Sequence, residues 1–126
     1  MQGGAKLFLG IGSTLALLAV ALGAFGAHAL KARIAPELMT VYHTGVEYHF
    51  YHALGLILVG LTALHLPESR LLKSAGWAML AGTVLFSGSL YLLSLTGVRW
   101  LGAITPIGGV TFLAAWGLFA LAVVRS

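Results

Sequence analysis

The sequence predicts an all-α integral membrane protein, an antiparallel bundle of four transmembrane helices within one domain, residues 1–126. The chain is 60% hydrophobic and 8% charged, with a mean hydropathy of +1.00, whereas soluble domains carry about a quarter charged residues. It contains four long apolar stretches, each close to the roughly 20 residues that cross a hydrocarbon core. The few charged residues fall mainly at the ends of these stretches.

The first span is predicted over about residues 7–27, a stretch without charge. Its apolar run exceeds the signal-peptide core of about 7–15 residues. This favours a retained helix, although Ala27-His28-Ala29 resembles a cleavage site. Small residues around Gly26 indicate close helix packing, which drives association in lipid.

The second helix is predicted to extend beyond the membrane at its N-terminal end. Pro36 suits the first turn of a helix, and the next proline after it is Pro67. A helix from Pro36 to about His65 is longer than the hydrocarbon core is thick. Counting about 20 residues back from His65 predicts a span over about 46–66.

The third and fourth spans are predicted over about residues 74–95 and 102–124. The start of the fourth helix has two interpretations. Thr105 could cap a helix whose first residue is Pro106, or the helix could start near Leu101 and bend at Pro106. The second is favoured, because residues 101–104 are too apolar for an exposed loop.

Four spans bring both termini to the same side of the membrane. Four basic residues fall on that side and three on the other, which favours cytoplasmic termini by the positive-inside rule. The first group is Lys6, Arg70, Lys73 and Arg125, and the second is Lys31, Arg33 and Arg99.

Composition argues against several classes of function. The absence of cysteine excludes disulfides, thiol nucleophiles and cysteine-ligated metal sites. The seven Lys and Arg are scattered singly, so no nucleic-acid surface is predicted. The chain contains no Asp, so no Ser-His-Asp arrangement can be built. Gly108-Gly109 lacks the phosphate-loop pattern. We therefore expect a non-enzymatic protein without a cofactor.

The polar stretch 42–52 contains the candidate ligand residues. On a helix, His43, Glu47 and Tyr51 share one face at i,i+4 spacing, and Tyr48 and His52 share another. A carboxylate near lipid usually faces protein, water or a partner. The candidate polar cluster is His28, Glu47, Tyr48 and His52. No metal site is assigned, but His28, Glu47 and His52 are the residues from which one would be built.

A second set of residues is predicted to mediate helix packing. Glycines allow close approach of helix backbones, and hydroxyl groups hydrogen-bond between helices or to their own carbonyls. The set comprises Gly26, Ser87, Gly88, Ser89, Tyr91, Thr105, Pro106 and Gly108.

Four blocks of the sequence resemble the YgdD/YwdK-like small membrane proteins, a domain-of-unknown-function family with TMEM-named eukaryotic relatives. The blocks are residues 22–30, 44–54, 86–91 and 101–109, in the family's order. The resemblance implies a four-span protein, of the inner membrane in bacteria, without an established activity. His28, Tyr48, His52, Ser87, Tyr91 and Pro106 fall in the matching motifs. His49 stands where the family has Gln, and His43 lies outside the motif, which weighs against a metal site on either.

The function expected from these observations is helix packing with a second copy or another protein in the membrane. The expected partners are membrane lipid and, in a homo-oligomer, further copies of the chain. A lipid or small ligand could also bind. Transport of a small solute, ion or proton through an oligomer is the first alternative, because four short helices enclose little room. Metal binding through His28, Glu47 and His52 is the second. The expected location is the bacterial inner membrane.

Overall fold

Four long helices account for most of the structure. The computed structural model describes residues 3–126, and no strand occurs among them. The helices are α1 (Gly3–Phe25), α2 (Pro36–Ala63), α3 (Arg70–Thr96) and α4 (Thr105–Val124). A π-helical turn, Gly26–Leu30, continues α1, and a 3₁₀ turn, Arg99–Ala103, precedes α4. The all-α prediction is confirmed.

Three helix ends follow from local sequence. Pro36 opens α2 after the extended Ala35, as predicted, because proline fixes its own φ and disfavours helix in the residue before it. The Ser69 hydroxyl caps α3 by accepting the Leu72 N–H over 3.1 Å. Gly97 ends α3 in the left-handed region, at φ 72°, where a side chain would be strained.

The start of α4 differs from the favoured prediction. Pro106 lies in the first turn of α4 and does not bend a longer helix. Residues 101–103 belong to the separate 3₁₀ turn, in which Leu101 is buried. Thr105 opens the helix, but its side chain makes no capping bond. The apolar stretch before Pro106 therefore forms a 3₁₀ turn that buries Leu101, while the proline still begins a new helix.

The helices pack in chain order. The α1 helix lies along α2, α2 along α3, and α3 along α4, while α1 and α4 share no extended contact in residues 3–126. The contact between α1 and α2 depends on close backbone approach. A Cβ on Gly12 would lie 2.9 Å from the Ala53 carbonyl oxygen of α2. All four helices meet in a core near the chain termini, which contains Phe8, Leu56, Met79 and Ala115.

Three helical stretches are long and apolar enough to cross a membrane: Gly3–Leu30, Arg70–Thr96 and Arg99–Val124. The 28-residue α2 is of similar length but is not one of them. Its N-terminal half carries the polar stretch 42–52. The polar residues of this helix are therefore the first place to look for function.

Candidate functional site

His52 lies on the buried face of α2 and uses both ring nitrogens. The indole N–H of Trp116 in α4 donates to Nε2 over 3.0 Å. Nδ1 lies 2.7 Å from the Tyr48 carbonyl oxygen one turn earlier. Because Nε2 accepts, the ring proton is on Nδ1 and is donated to that carbonyl. The geometry therefore assigns His52 as a neutral imidazole with a fixed tautomer.

Aromatic rings enclose His52. Its ring stacks on Phe112 with centroids 3.4 Å apart and planes 8° apart. The Tyr48 ring is stacked on those of His52 and Phe112, with centroids 6.2 and 6.3 Å away, and lies tilted against the Phe86 ring at 4.7 Å. Only 4% of His52 is exposed. This predicted site residue thus joins α2 to α4, and neither of its nitrogens has a lone pair left for a metal ion.

A second polar cluster joins α2 to α3 and α1. His49 Nδ1 lies 2.7 Å from the Tyr91 hydroxyl. The Tyr91 ring lies 5.5 Å from that of Tyr42, whose hydroxyl donates to the Leu22 carbonyl of α1 over 2.5 Å. His49 is 5% exposed, and its Nε2 has no hydrogen-bond partner in the described chain. The cluster therefore links α1, α2 and α3, and within the described chain it leaves His49 Nε2 without a hydrogen bond.

The hydroxyl residues predicted for packing form bonds at helix contacts. Ser87 of α3 donates to the Gly45 carbonyl of α2 over 2.7 Å. Ser89 and Thr105 share a hydrogen bond of 2.6 Å between α3 and α4. These bonds satisfy polar groups inside the bundle, where no water is needed as a partner.

Two of the three predicted packing glycines lie at contacts. A Cβ on Gly26 would overlap the Tyr42 ring, and one on Gly108 would lie 2.5 Å from the Phe86 nitrogen. Gly88 departs from the prediction, since a Cβ there would meet nothing within 4 Å. It faces away from the neighbouring helices, so it contributes to no contact between described helices.

The residues considered for a metal site do not converge. Glu47 and His52 are five positions apart, about 140° around the helix, so they occupy different faces of α2. His28 is exposed on the π-helical turn, and Glu47 is also exposed. No group of three His, Cys, Asp or Glu side chains within residues 3–126 could hold a metal ion. The structure gives the metal alternative no geometric support.

Trp116 was not singled out from the sequence, and Tyr42 was included only as part of the polar stretch 42–52, without a role of its own. Both are aromatic residues with a polar tip in otherwise apolar surroundings, and such tips usually find a hydrogen-bond partner when buried. That rule could have singled them out. Their partners could not be inferred, because they lie 64 and 20 residues away in the chain.

Comparison with known proteins supports the membrane assignment. Residues 22–109 match the family described as "Protein of unknown function (DUF423)". The chain is 52% identical to UPF0382 membrane protein YwdK of Bacillus subtilis, over 95% of this chain and 98% of that protein. It is 46% identical to a UPF0382 membrane protein of Staphylococcus haemolyticus, over 88% and 89%.

No solved structure matches the chain. The membrane relatives and the three apolar helices together identify an integral membrane protein. The resemblance to YwdK-like proteins is confirmed, and the chain belongs to the DUF423 family of membrane proteins.

Proposed function

We propose that this protein crosses the bacterial inner membrane four times and acts by lateral association within it, through one exposed face of α2. The proposal requires α2 to be a span. Support comes from its antiparallel register with α1. Gly60 packs against Leu9, and Gly23 against Val46. By this register, the stretch between Lys6 and Lys31 runs beside residues of about 39–62 in α2.

This register supports a deeper position for the polar stretch than the count of about 20 residues back from His65 indicated. Val46 is level with Gly23, eight residues before Lys31, so Glu47 lies about 12 Å along the axis from that lysine. A hydrocarbon core is about 30 Å thick. We therefore propose a second span within about 39–62 in place of 46–66, with Glu47 inside the hydrocarbon.

One face of α2 points away from the other helices. We call it the outward face of α2, and all its members are exposed. Its residues are Thr40, His43, Glu47, Tyr51, Leu54, Leu58 and Leu61. The first four are polar, and the leucines occupy the half nearer the chain termini. Without a partner on this face, the protein would present these polar side chains to lipid.

Glu47, at the centre of the outward face, is the observation that carries the proposal. Ionisable groups within membranes almost always face protein or water, since exposing a carboxylate to the bilayer centre costs about 2.5–3.5 kcal/mol or more. The described side-chain bonds from α2 involve other residues and none reaches Glu47. Those residues are Thr40, Tyr42, Thr44, His49, His52 and Thr62. A partner on this face would supply the missing donors.

The inner polar groups support a non-enzymatic role. His52, Ser87, Ser89 and Tyr91 are engaged in bonds that hold helices together. For orientation, the proposal retains cytoplasmic termini, because four basic residues lie on that side and three on the other.

A reporter experiment tests whether the outward face is covered. The chain has no cysteine, so single-cysteine variants take up one fluorescent label each. Leu54, at 43% exposure, lies on the outward face, and Leu113 of α4, at 75% exposure, is the site of the control variant Leu113→Cys. The contacts of Gly55 with Met79 and Gly82 with Phe112 give the two leucines similar depth. In native membranes, a quencher on lipid chains should quench the label at Leu113 and spare that at Leu54. Equal quenching would refute lateral association through this face.

Transport of an ion or proton through an oligomer is the second candidate function, favoured by the closeness of His43 and Glu47 on the polar half of the face. It predicts a flux across proteoliposomes that Glu47→Gln abolishes. A flux that persists in that variant would remove Glu47 from any transport role.

A further inference from the structure

We propose that the partner on the outward face of α2 is the same face of a second copy, related by a two-fold axis parallel to the membrane normal. This inference rests on the proposed function and names its partner. Such a contact is isologous, so each residue of one copy meets residues at the same depth in the other. Glu47 of each copy would accept hydrogen bonds from Tyr51 and His43 of the partner subunit.

The face is complementary to itself. Glu47 is an acceptor, and one helical turn on either side of it stand two donors, the Tyr51 hydroxyl and the His43 ring. None of the three forms a side-chain hydrogen bond within residues 3–126. In a helix pair related by a two-fold axis, residue i approaches i±3 and i±4 of the partner as well as i. His43 and Tyr51 of each copy therefore lie within reach of Glu47 of the partner subunit.

The surface beside the face allows a close approach. A groove of about 480 Å³ lies between α1 and α2, and Glu47 and Tyr51 form its edge. The α1 wall of this groove consists of small or short side chains, Ala19, Val20, Gly23 and Ala24. Small residues let helix backbones come close in lipid. The groove can thus receive the ring of Tyr51 from the partner subunit.

Lipid alone fits this face less well. Acyl chains offer no hydrogen-bond donor, and headgroups lie about 12 Å away from Glu47, near the level of Lys31. The outward face also changes from polar to leucine along its length at one level. A second copy in parallel orientation reproduces that change at the same level, so polar meets polar and leucine meets leucine.

Disulfide crosslinking between copies tests the proposal. In native membranes treated with a mild oxidant, Leu54→Cys and Leu58→Cys should give a covalent dimer, and Leu113→Cys should not. Adding Glu47→Leu to Leu54→Cys should weaken self-association about tenfold, the scale of one or two interhelical hydrogen bonds. Adding Glu47→Gln should preserve it, because the amide oxygen still accepts. Glu47 is exposed, so both substitutions are compatible with folding of the single chain.

The outcomes separate the two proposals. If the Leu54 label is shielded from lipid but no crosslink between copies forms, the partner is a different protein, and self-pairing is overturned while lateral association stands. If Leu113→Cys crosslinks as well as Leu54→Cys, the dimer reflects random collision and self-pairing is overturned. If the Leu54 label is quenched like that at Leu113, both proposals fail.

Discussion

Trp116 donates its indole N–H to Nε2 of His52 over 3.0 Å and joins the last helix to the second. The α2 and α4 helices share no extended contact in the described chain, so their connection depends on few groups. Trp116 also lies against Gly55, where a Cβ would come within 3.2 Å of the indole ring. The bond therefore fixes both the His52 tautomer and the approach of α4.

We expect Trp116→Phe to destabilise the fold by about 1 kcal/mol, because it leaves the buried Nε2 of His52 without a donor. The free energy of unfolding in mixed micelles, titrated with dodecyl sulfate, measures the effect. Trp77→Phe is the control, since the Trp77 indole packs edge-on against Phe8 and donates no hydrogen bond in the described chain. Equal losses in the two variants would contradict the structural role of the bond.

Tyr91→Phe should destabilise the protein by about 1–3 kcal/mol, because His49 would then have both ring nitrogens buried without partners. His49→Leu added to Tyr91→Phe should recover part of that loss, since no unsatisfied imidazole remains. A double-mutant cycle on the unfolding free energies measures this coupling. Additive effects would show that the two residues do not act as a pair.

Tyr42→Phe should cost about 1 kcal/mol, because the ring stays over Gly26 while the bond to the Leu22 carbonyl is lost. Tyr48→Phe is the matched control. It removes a hydroxyl that makes no hydrogen bond in the described chain and keeps the ring contacts with His52, Phe86 and Phe112. The same unfolding titration should show no change for this control, and a comparable loss there would argue against the Tyr42 bond.

Gly108→Ala and its neighbour Gly109→Ala should change stability in opposite directions. A Cβ at Gly108 would lie 2.5 Å from the Phe86 nitrogen and 2.7 Å from its Cα, so α3 and α4 must separate, at a cost of about 1–3 kcal/mol. At Gly109 nothing lies within 4 Å, and alanine gains up to about 1 kcal/mol in helix propensity. Thermal unfolding of both variants in detergent shows whether each substitution raises or lowers the stability.

The positions of the helices were predictable, because they depend on local sequence. Charge-free stretches, the proline at position 36 and the polar turn before Arg70 all mark helix limits through backbone and solvation effects of neighbouring residues. The proline at position 106 was harder to interpret. A proline that starts a helix and one that bends a helix share the same local sequence, and the separate 3₁₀ turn before α4 distinguishes them in the structure.

Which side of each helix contacts its neighbours was not predictable from the sequence. The α4 helix is apolar all round, so its sequence does not indicate that Trp116 points to α2. The same holds for Gly88 and Gly108, two similar glycines of which only one meets another backbone. The register of α1 against α2, which moves Glu47 deeper in the proposed membrane position, likewise arises from contacts between distant residues. Helix length alone could not supply it.

Packing in chain order has a consequence for biosynthesis. Each helix finds its main neighbour in the helix made just before it, so α1 and α2 can pair as a hairpin before α3 and α4 are translated. His52 is an exception, since its donor Trp116 is synthesised 64 residues later. The nascent hairpin therefore carries a histidine nitrogen without its partner until the end of translation. Docking of α4 removes that defect, and the same event completes the fold.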